Sequence, residues 1–323
     1  MSGSSVRSAG RLAGALQLAT AAALAAAFAA AALPGALTAQ QRPAPGQPAP
    51  GQPAPAPAAA DTAPVADGMA ELRVCADPDN MPFSNERQEG FENRIAQLIA
   101  RDLGVPLKYQ WWPQRRGFVR NTIRARQCDL LVGAPRGFDP VATTRPYYRS
   151  TYYIVSRADR APRIRSLDDP ALRRLRVGVH IIGNDYENPP PAHALGKRGI
   201  IAEGFNTFYG PGADNEPQDI IDALVARKID VAVVWGPIAG YFAKHAAVPL
   251  TLDPLPDSDT VASGGRLPFA FDIAMGMRRS DKSFRAQVER VLDRRQPEIQ
   301  RILQEYGVPT LPLAATASSG AKP

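Results

Sequence analysis

Residues 72–112 read LRVCADPDNMPFSNERQEGFENRIAQLIARDLGVPLKYQWW, and their pattern predicts the architecture of the chain. The stretch opens with a short apolar run that the polar cluster DPDN ends, which predicts a strand followed by a turn. Apolar side chains then recur at helical spacing from Phe91 to Leu103, and Gly104 stops the helix. A second strand follows over Leu107–Trp112. The stretch is therefore a strand–helix–strand unit of a parallel sheet.

The same pattern continues beyond this unit and then starts again. A helix over Phe118–Arg126 and a buried strand over Asp129–Gly133 complete the first round. A second round has strands over Leu175–Val179 and Asp230–Val234, with a helix over Ile220–Lys228 between them. Two rounds of one pattern predict two α/β lobes, each with a mostly parallel sheet covered by helices on both faces.

A last strand over Phe269–Met277 and a helix from about Phe284 have no lobe of their own, so we expect them to dock on the first lobe. The predicted boundaries are residues 69–155 with 265–313 for lobe 1, and 156–264 for lobe 2. Ligands or partners would meet the strand ends in the cleft between the lobes.

The first 39 residues are typical of an export signal. Arg7 and Arg11 precede an apolar run rich in alanine and leucine, and small residues lead to a predicted cleavage after Ala39. The alternative is an uncleaved membrane anchor, because the run is long enough to span a bilayer. With cleavage, the protein would be released into the periplasm.

Residues 40–68 are built from Pro, Ala, Gly and Gln and repeat the pattern GQPAP. They hold too few branched or aromatic side chains to offset chain entropy by burial, so we predict a disordered tether. The tail over 314–323 has a similar composition and the same prediction.

The net charge of +7 is spread among acidic residues and accompanies no nucleic-acid motif, which argues against nucleic acid as partner. Cys75 and Cys128 are the two cysteines of the chain. In an oxidising compartment they could form a disulfide whose closed loop contributes roughly 4 kcal/mol. Two buried thiols in neighbouring strands are the alternative.

The sequence carries no pattern of an enzyme. Its three histidines are His180, His193 and His245, which form no His-Glu-x-x-His pair. A Gly-x-Ser-x-Gly elbow and a Gly-Lys-Ser/Thr phosphate loop are also missing from the sequence. We therefore expect a binding protein without cofactor or metal, and a monomer on its own.

Aromatic side chains and arginines follow the predicted strands, where a cleft would be. Trp112, Tyr147, Tyr148 and Trp235 are the aromatic candidates for that cleft, with packing in the lobe cores as the alternative. Arg115 and Arg136 lie in loops expected to face the cleft, and ordinary solvated arginines are the alternative there.

Four blocks of the sequence carry a family resemblance: Leu72–Asn85, Gly90–Asn93, Cys128–Leu130 and Arg145–Tyr152. Together they resemble the quinoprotein-dehydrogenase-associated solute-binding-like proteins, which are the J proteins of methanol oxidation systems (MxaJ or XoxJ type). The likeness covers most of residues 71–312. It implies a two-lobed periplasmic binding protein (type II) fold with an interlobe cleft.

The resemblance also implies a function and partners. The family's role is that of a periplasmic accessory protein to a PQQ-dependent alcohol dehydrogenase, which is often encoded beside a c-type cytochrome. We predict that the cleft and partner-binding residues are Asp77, Asn80, Phe83, Trp112, Arg115, Arg136, Tyr147, Tyr148, His180 and Trp235.

The alternative function is that of a substrate-binding receptor of an ABC-type importer. The amino-acid receptors related to this family hold the ligand carboxylate with an arginine in a Thr-x-x-Arg stretch and the ammonium with an aspartate. Here Ala134-Pro135-Arg136 and Trp235-Gly236 stand at those places, so only Arg136 could replace one of the two charges. The importer alternative therefore concerns a small solute other than an amino acid.

Overall fold

The computed structural model describes residues 68–160, 163–181, 188–206, 216–260 and 264–313. The predicted export signal, residues 40–67 of the predicted tether and the predicted tail lie outside these ranges. None of the helices inside them has the length and apolar character that a membrane span requires.

The N-terminal part of the fold follows the alternation that the sequence predicts. Its elements are β1 (Leu72–Ala76), β2 (Asp79–Asn80), β3 (Ser84–Asn85), α1 (Phe91–Leu103), β4 (Leu107–Trp111), α2 (Phe118–Asn121), β5 (Leu130–Pro135), β6 (Ala142–Thr143) and β7 (Tyr148–Arg157). α1 ends at Gly104, which has a φ of 69°, a left-handed conformation that glycine adopts without a Cβ penalty.

The second round and the C-terminal part complete the fold. After a 3₁₀ turn over Pro170–Arg174, the elements are β8 (Val177–Ile181), α3 (Pro190–Lys197), β9 (Ala202–Asn206), α4 (Asp219–Val225), β10 (Val231–Trp235), α5 (Gly236–His245), β11 (Leu250–Pro254), β12 (Ser258–Thr260), β13 (Arg266–Pro268), β14 (Ala270–Met277) and α6 (Lys282–Glu305).

The strands form two parallel groups that antiparallel strands connect. The ten-stranded sheet has the order β4-β1-β5-β14-β7-β10-β8-β9, with β11 beside β7 and β6 beside β14. β4, β1 and β5 are parallel and define lobe 1, while β10, β8 and β9 are parallel and define lobe 2. β7 pairs with β14 through its first half and with β10 through its second, so the two predicted sheets are continuous.

Each lobe buries apolar side chains on both faces of its sheet. Val231 and Val233 of β10 enter one core, and Ala232 and Val234 enter the core on the opposite face. This alternation is the two-residue period of a strand. α6 packs against α1 in the core of lobe 1, as expected for the C-terminal helix. The predicted boundaries at residues 155 and 265 stay a prediction.

Cys75 and Cys128 form a disulfide, with their Cα atoms 5.5 Å apart. Cys75 lies in β1, and Cys128 stands two residues before β5, the strand that pairs with β1. The disulfide belongs to a small core on the face of the sheet opposite α1, together with Phe118 and Ile123. The alternative prediction, two free thiols, is therefore wrong.

The second helix is shorter than its sequence pattern predicts. The prediction was Phe118–Arg126, but α2 ends at Asn121. Thr122 leaves the helical region, with φ −116° and ψ −87°, and its hydroxyl donates to the Phe118 carbonyl oxygen at 2.7 Å. The Phe118 carbonyl oxygen therefore accepts from both the backbone N–H of Thr122, at 3.0 Å, and its hydroxyl, a double contact that favours a bend at the end of the helix.

Candidate functional site

A cavity of about 280 Å³ lies where β5 and β10 end, which is the position expected for a cleft between two α/β lobes. Both lobes and the connecting strands contribute to it. It is lined by Asn80, Phe83, Glu92, Gln114, Gly133, Ala134, Pro135, Tyr148, Tyr152, Trp235, Phe271 and Ile273. We call this space the cleft cavity.

Five of the twelve residues that line the cleft cavity are aromatic. The Trp235 ring lies 5.1 Å from the Tyr152 ring and 5.8 Å from the Phe271 ring, measured between centroids. Phe83 and Tyr148 complete the wall from lobe 1, and both pack on Phe91 beneath the cavity. Aromatic faces present partial negative charge, so this wall suits an apolar or a cationic group.

Glu92 places a carboxylate among these rings. In the described part of the chain, no hydrogen bond or ion pair reaches this carboxylate, and burial raises its pKa to about 8. The carboxylate lies directly over Gly133 of β5, where an added Cβ atom would come within 2.1 Å of Oε1. Glycine at this position is what allows the carboxylate to approach the strand.

The loop that carries Asn80 and Phe83 is held in place by Asp77. One carboxylate oxygen of Asp77 accepts from the backbone N–H of Asp79 at 2.9 Å, and the other accepts from the backbone N–H of Gln114. Burial raises the pKa of Asp77, and these two hydrogen bonds oppose the shift. Asp77 therefore positions two lining segments of the cavity and does not itself line it.

A second cavity of about 420 Å³ adjoins the first and shares Gln114, Gly133, Ala134 and Pro135 with it. Four arginines line it, namely Arg115, Arg116, Arg120 and Arg124. We call these four residues and the cavity the arginine surface. The exposed ring of Phe138 lies at its edge, and the core around the disulfide lies below it.

The structure brings four of the predicted residues together in the cleft cavity: Asn80, Phe83, Tyr148 and Trp235. Arg115 lies on the arginine surface. Trp112 packs partly buried against the core around the disulfide. Their proposed roles in binding stay predictions.

Tyr147 and Arg136 lie elsewhere, contrary to the prediction that they face the cleft. The Tyr147 ring is 1% exposed, and its hydroxyl donates to the Val132 carbonyl oxygen at 3.1 Å, so it belongs to the core of lobe 1 and cannot meet a partner. Arg136 pairs with Asp272 at 3.9 Å outside the cleft cavity.

His180 also lies away from the cleft, buried at the end of β8. Burial lowers the pKa of its imidazole to about 4, while a hydrogen bond to the backbone of Pro217 raises it. Its Nε2 atom has no hydrogen-bond partner among the residues that the structure describes. A neutral, buried imidazole in lobe 2 does not line the cleft cavity.

Gln114, Tyr152, Phe271 and Glu92 line the cleft cavity but are not among the predicted site residues, and Glu92 is the charged one of the four. It precedes Ile95, Ala96 and Ile99 by three, four and seven residues, so it shares a helix face with side chains that are fully buried. A charged residue on the buried face of an amphipathic helix is the signal that could have identified it.

Residues 72–309 match the bacterial extracellular solute-binding proteins, family 3, and the chain belongs to this family. The chain is 30% identical to the protein MoxJ of Methylorubrum extorquens over 254 residues, which cover 75% of this chain and 82% of that protein. It is 28% identical to the protein MoxJ of Paracoccus denitrificans, with 79% of this chain and 92% of that protein covered.

Solved structures agree with this assignment. The periplasmic binding protein XoxJ of Methylobacterium extorquens AM1 is 36% identical, with a TM-score of 0.60, and the match covers 74% of this chain and 99% of XoxJ. The structure of MxaJ from Methlophaga aminisulfidivorans MPT has a TM-score of 0.65 at 26% identity, and the match covers 74% of this chain and 100% of MxaJ. The predicted fold class and family resemblance are confirmed.

Proposed function

We propose that this protein is a periplasmic accessory protein that binds a PQQ-dependent, methanol-type alcohol dehydrogenase and assists its maturation or activation. The observation that carries the proposal is the similarity to proteins named MoxJ, MxaJ and XoxJ along most of the folded chain. The protein performs no chemistry of its own in this role, and a c-type cytochrome is a second candidate partner.

The charges of the cleft cavity support a role other than amino-acid transport. An amino acid needs a cation for its carboxylate, and none of the described residues that line the cavity is basic. Arg136, the predicted substitute, pairs with Asp272 instead. This removes the strongest reason to regard the protein as an amino-acid receptor.

The arginine surface supports a protein partner with an acidic face. Arg115, Arg120 and Arg124 are exposed, and no carboxylate in the described part of the chain lies within ion-pair distance of these three side chains. Clustered charge of one sign steers association with a complementary surface. In our proposal the dehydrogenase contacts this surface, with Phe138 as its apolar neighbour.

Titration of the exported protein with the apo form of the dehydrogenase, by calorimetry, tests the proposal. We expect binding to the apo enzyme and none to PQQ alone. Arg115→Glu combined with Arg120→Glu should weaken binding by about tenfold and reduce its dependence on salt. Arg173→Glu combined with Arg174→Glu is the matched control, because it reverses the same number of charges at two exposed arginines on the 3₁₀ turn of lobe 2.

Absence of binding to the dehydrogenase, with or without PQQ, would contradict the proposal. The importer alternative would then gain, and a screen of small solutes would follow. A solute that binds only the folded state stabilises it, and the melting temperature then rises with solute concentration.

A further inference from the structure

The cleft cavity has an uneven distribution of charge. It contains one carboxylate, that of Glu92, and five aromatic side chains, but no lysine, arginine or histidine among its described lining residues. Asn80 and Gln114 supply its neutral polar groups and lie 3.3 Å apart, from Nδ2 of Asn80 to Oε1 of Gln114. An occupant of this space meets an ionisable carboxyl group and the faces of aromatic rings.

The Glu92 carboxylate lacks a partner among the described residues. Buried carboxylates are normally paired or hydrogen-bonded, because an unpaired buried charge is costly. Here the group faces a cavity instead, and the absence of a Cβ atom at Gly133 makes room for it. A ligand in the cavity can therefore pair with this carboxylate without a change of the fold.

We propose that the cleft cavity binds an organic monocation, an alkylammonium or quaternary ammonium ion that carries no carboxylate. Glu92 would neutralise its charge, and Tyr152, Trp235 and Phe271 would hold its methyl groups by cation–π contact. Asn80 and Gln114 would bind a hydroxyl group at the other end of the ligand.

The same geometry excludes zwitterions. A ligand carboxylate in this space would find no cation among the described lining residues and would stand in one cavity with Glu92. The ammonium group of a zwitterion would ionise Glu92 on binding, and the ligand's own carboxylate would then repel that charge strongly in a space of low dielectric. The inference therefore goes beyond the dehydrogenase proposal and does not rest on it.

Binding of a cation should release a proton from Glu92. With its pKa near 8, the carboxyl group is mostly protonated at pH 7 in the free protein, and a cation favours the ionised form. The titratable groups that feel this charge are Tyr109 of β4, Tyr148 of β7 and the adjacent Tyr147. Burial raises the pKa of each, so all three stay neutral through this range.

Calorimetry with choline, its neutral isostere 3,3-dimethylbutan-1-ol, and glycine betaine tests the proposal on the exported protein. We expect choline to bind about tenfold or more tightly than the other two. Two buffers of different ionisation enthalpy at pH 7 should show release of about one proton per choline bound. Equal affinity for choline and its isostere would overturn the proposal.

Two variants separate the role of the charge from that of the fold. Glu92→Gln keeps the shape of the side chain and should reduce the preference for choline, since only the cation–π contacts remain, and abolish the release of a proton. Glu203→Gln, at an exposed position of β9, should change neither. Undiminished choline binding by a folded Glu92→Gln protein would also overturn the proposal.

The result of the choline experiments is independent of the dehydrogenase titration. Substitution of Arg115 and Arg120 on the arginine surface should leave choline binding unchanged, because neither lines the cleft cavity. Failure of choline to bind would refute the cation site and leave the accessory role standing. Failure to bind the dehydrogenase would refute the accessory role and leave the cation site standing.

Discussion

At the scale of single residues, Glu92 sets the chemistry of the cleft cavity. Its backbone belongs to α1, whose other buried side chains form the core of lobe 1. The helix therefore cannot turn this residue outward without exposing that core. The same placement that makes Glu92 available to a ligand shields its carboxylate from bulk solvent in the free protein, and this has a measurable effect on stability.

We expect Glu92 to make the free protein less stable as the pH rises, while His180, whose pKa burial lowers to about 4, opposes this effect below pH 6.5. In the unfolded chain a glutamate ionises near pH 4.5, whereas Glu92 in the folded protein ionises near 8. Between these values the folded state holds more protons, so the free energy of unfolding falls with pH, by up to about 1.4 kcal/mol per pH unit. Below pH 4.5 the contribution is fully present, and above 8 it is lost.

Glu92→Gln should remove this pH dependence, so that the variant exceeds the wild type in free energy of unfolding at pH 8 and equals it near pH 4.5. Denaturant unfolding at several pH values between about 4.5 and 8.5 measures the difference. Parallel pH profiles for the two proteins would show that the carboxyl group of Glu92 titrates normally, contrary to this expectation.

At the scale of elements, the disulfide determines where the arginine surface lies. The segment between β4 and β5 carries all four arginines and contains only the short helix α2. Its end at Cys128 is bonded to Cys75 of β1, and Phe118 and Ile123 belong to the same small core as the disulfide. A segment with so little regular structure depends on these few contacts for its position.

Replacement of both cysteines by serine should lower the free energy of unfolding by about 2–4 kcal/mol, because the closed loop no longer restricts the unfolded chain. Guanidinium unfolding of the two proteins measures this change. We further expect weaker binding to the dehydrogenase and unchanged affinity for choline. An equal loss of both affinities would mean that the substitution disturbs the whole of lobe 1.

At the scale of the whole molecule, the cleft cavity depends on both lobes. Glu92 and Gly133 come from lobe 1, Trp235 ends β10 of lobe 2, and Tyr152 and Phe271 come from the strands that connect them. The continuity of β7 from one sheet into the other holds the ring of Tyr152 beside that of Trp235. Ligand binding should therefore change the environment of Trp235 in lobe 2.

Trp235 supplies the test, since the chain has only three tryptophans. Choline should change the fluorescence of the wild type, and the change should disappear in Trp235→Phe, whose affinity we expect to fall by about threefold to tenfold because phenylalanine is a weaker cation–π partner. Trp112→Phe is the control, since Trp112 packs on the core around the disulfide. A fluorescence change that survives in Trp235→Phe would place the ligand elsewhere.

The alternation of strands and helices could be predicted from the amino-acid sequence alone, because apolar periods of two and 3.6 residues report which faces are buried. Tyr148 and Trp235 were proposed as cleft residues because they follow predicted strands, and Asn80 and Phe83 because of the family resemblance; all four line the cleft cavity. The choice between Tyr147 and Tyr148 needed the folded structure, because alternation along a strand does not say which face is the core.

The pairing of Cys75 with Cys128 and the role of Glu92 likewise became visible only in the folded structure. A disulfide requires two β-carbons to come close, and this depends on how β1 and β5 align. Glu92 is a site residue because Gly133 of β5 has no side chain to keep its carboxylate away. Contacts between residues distant in sequence depend on packing, which local periodicity does not encode.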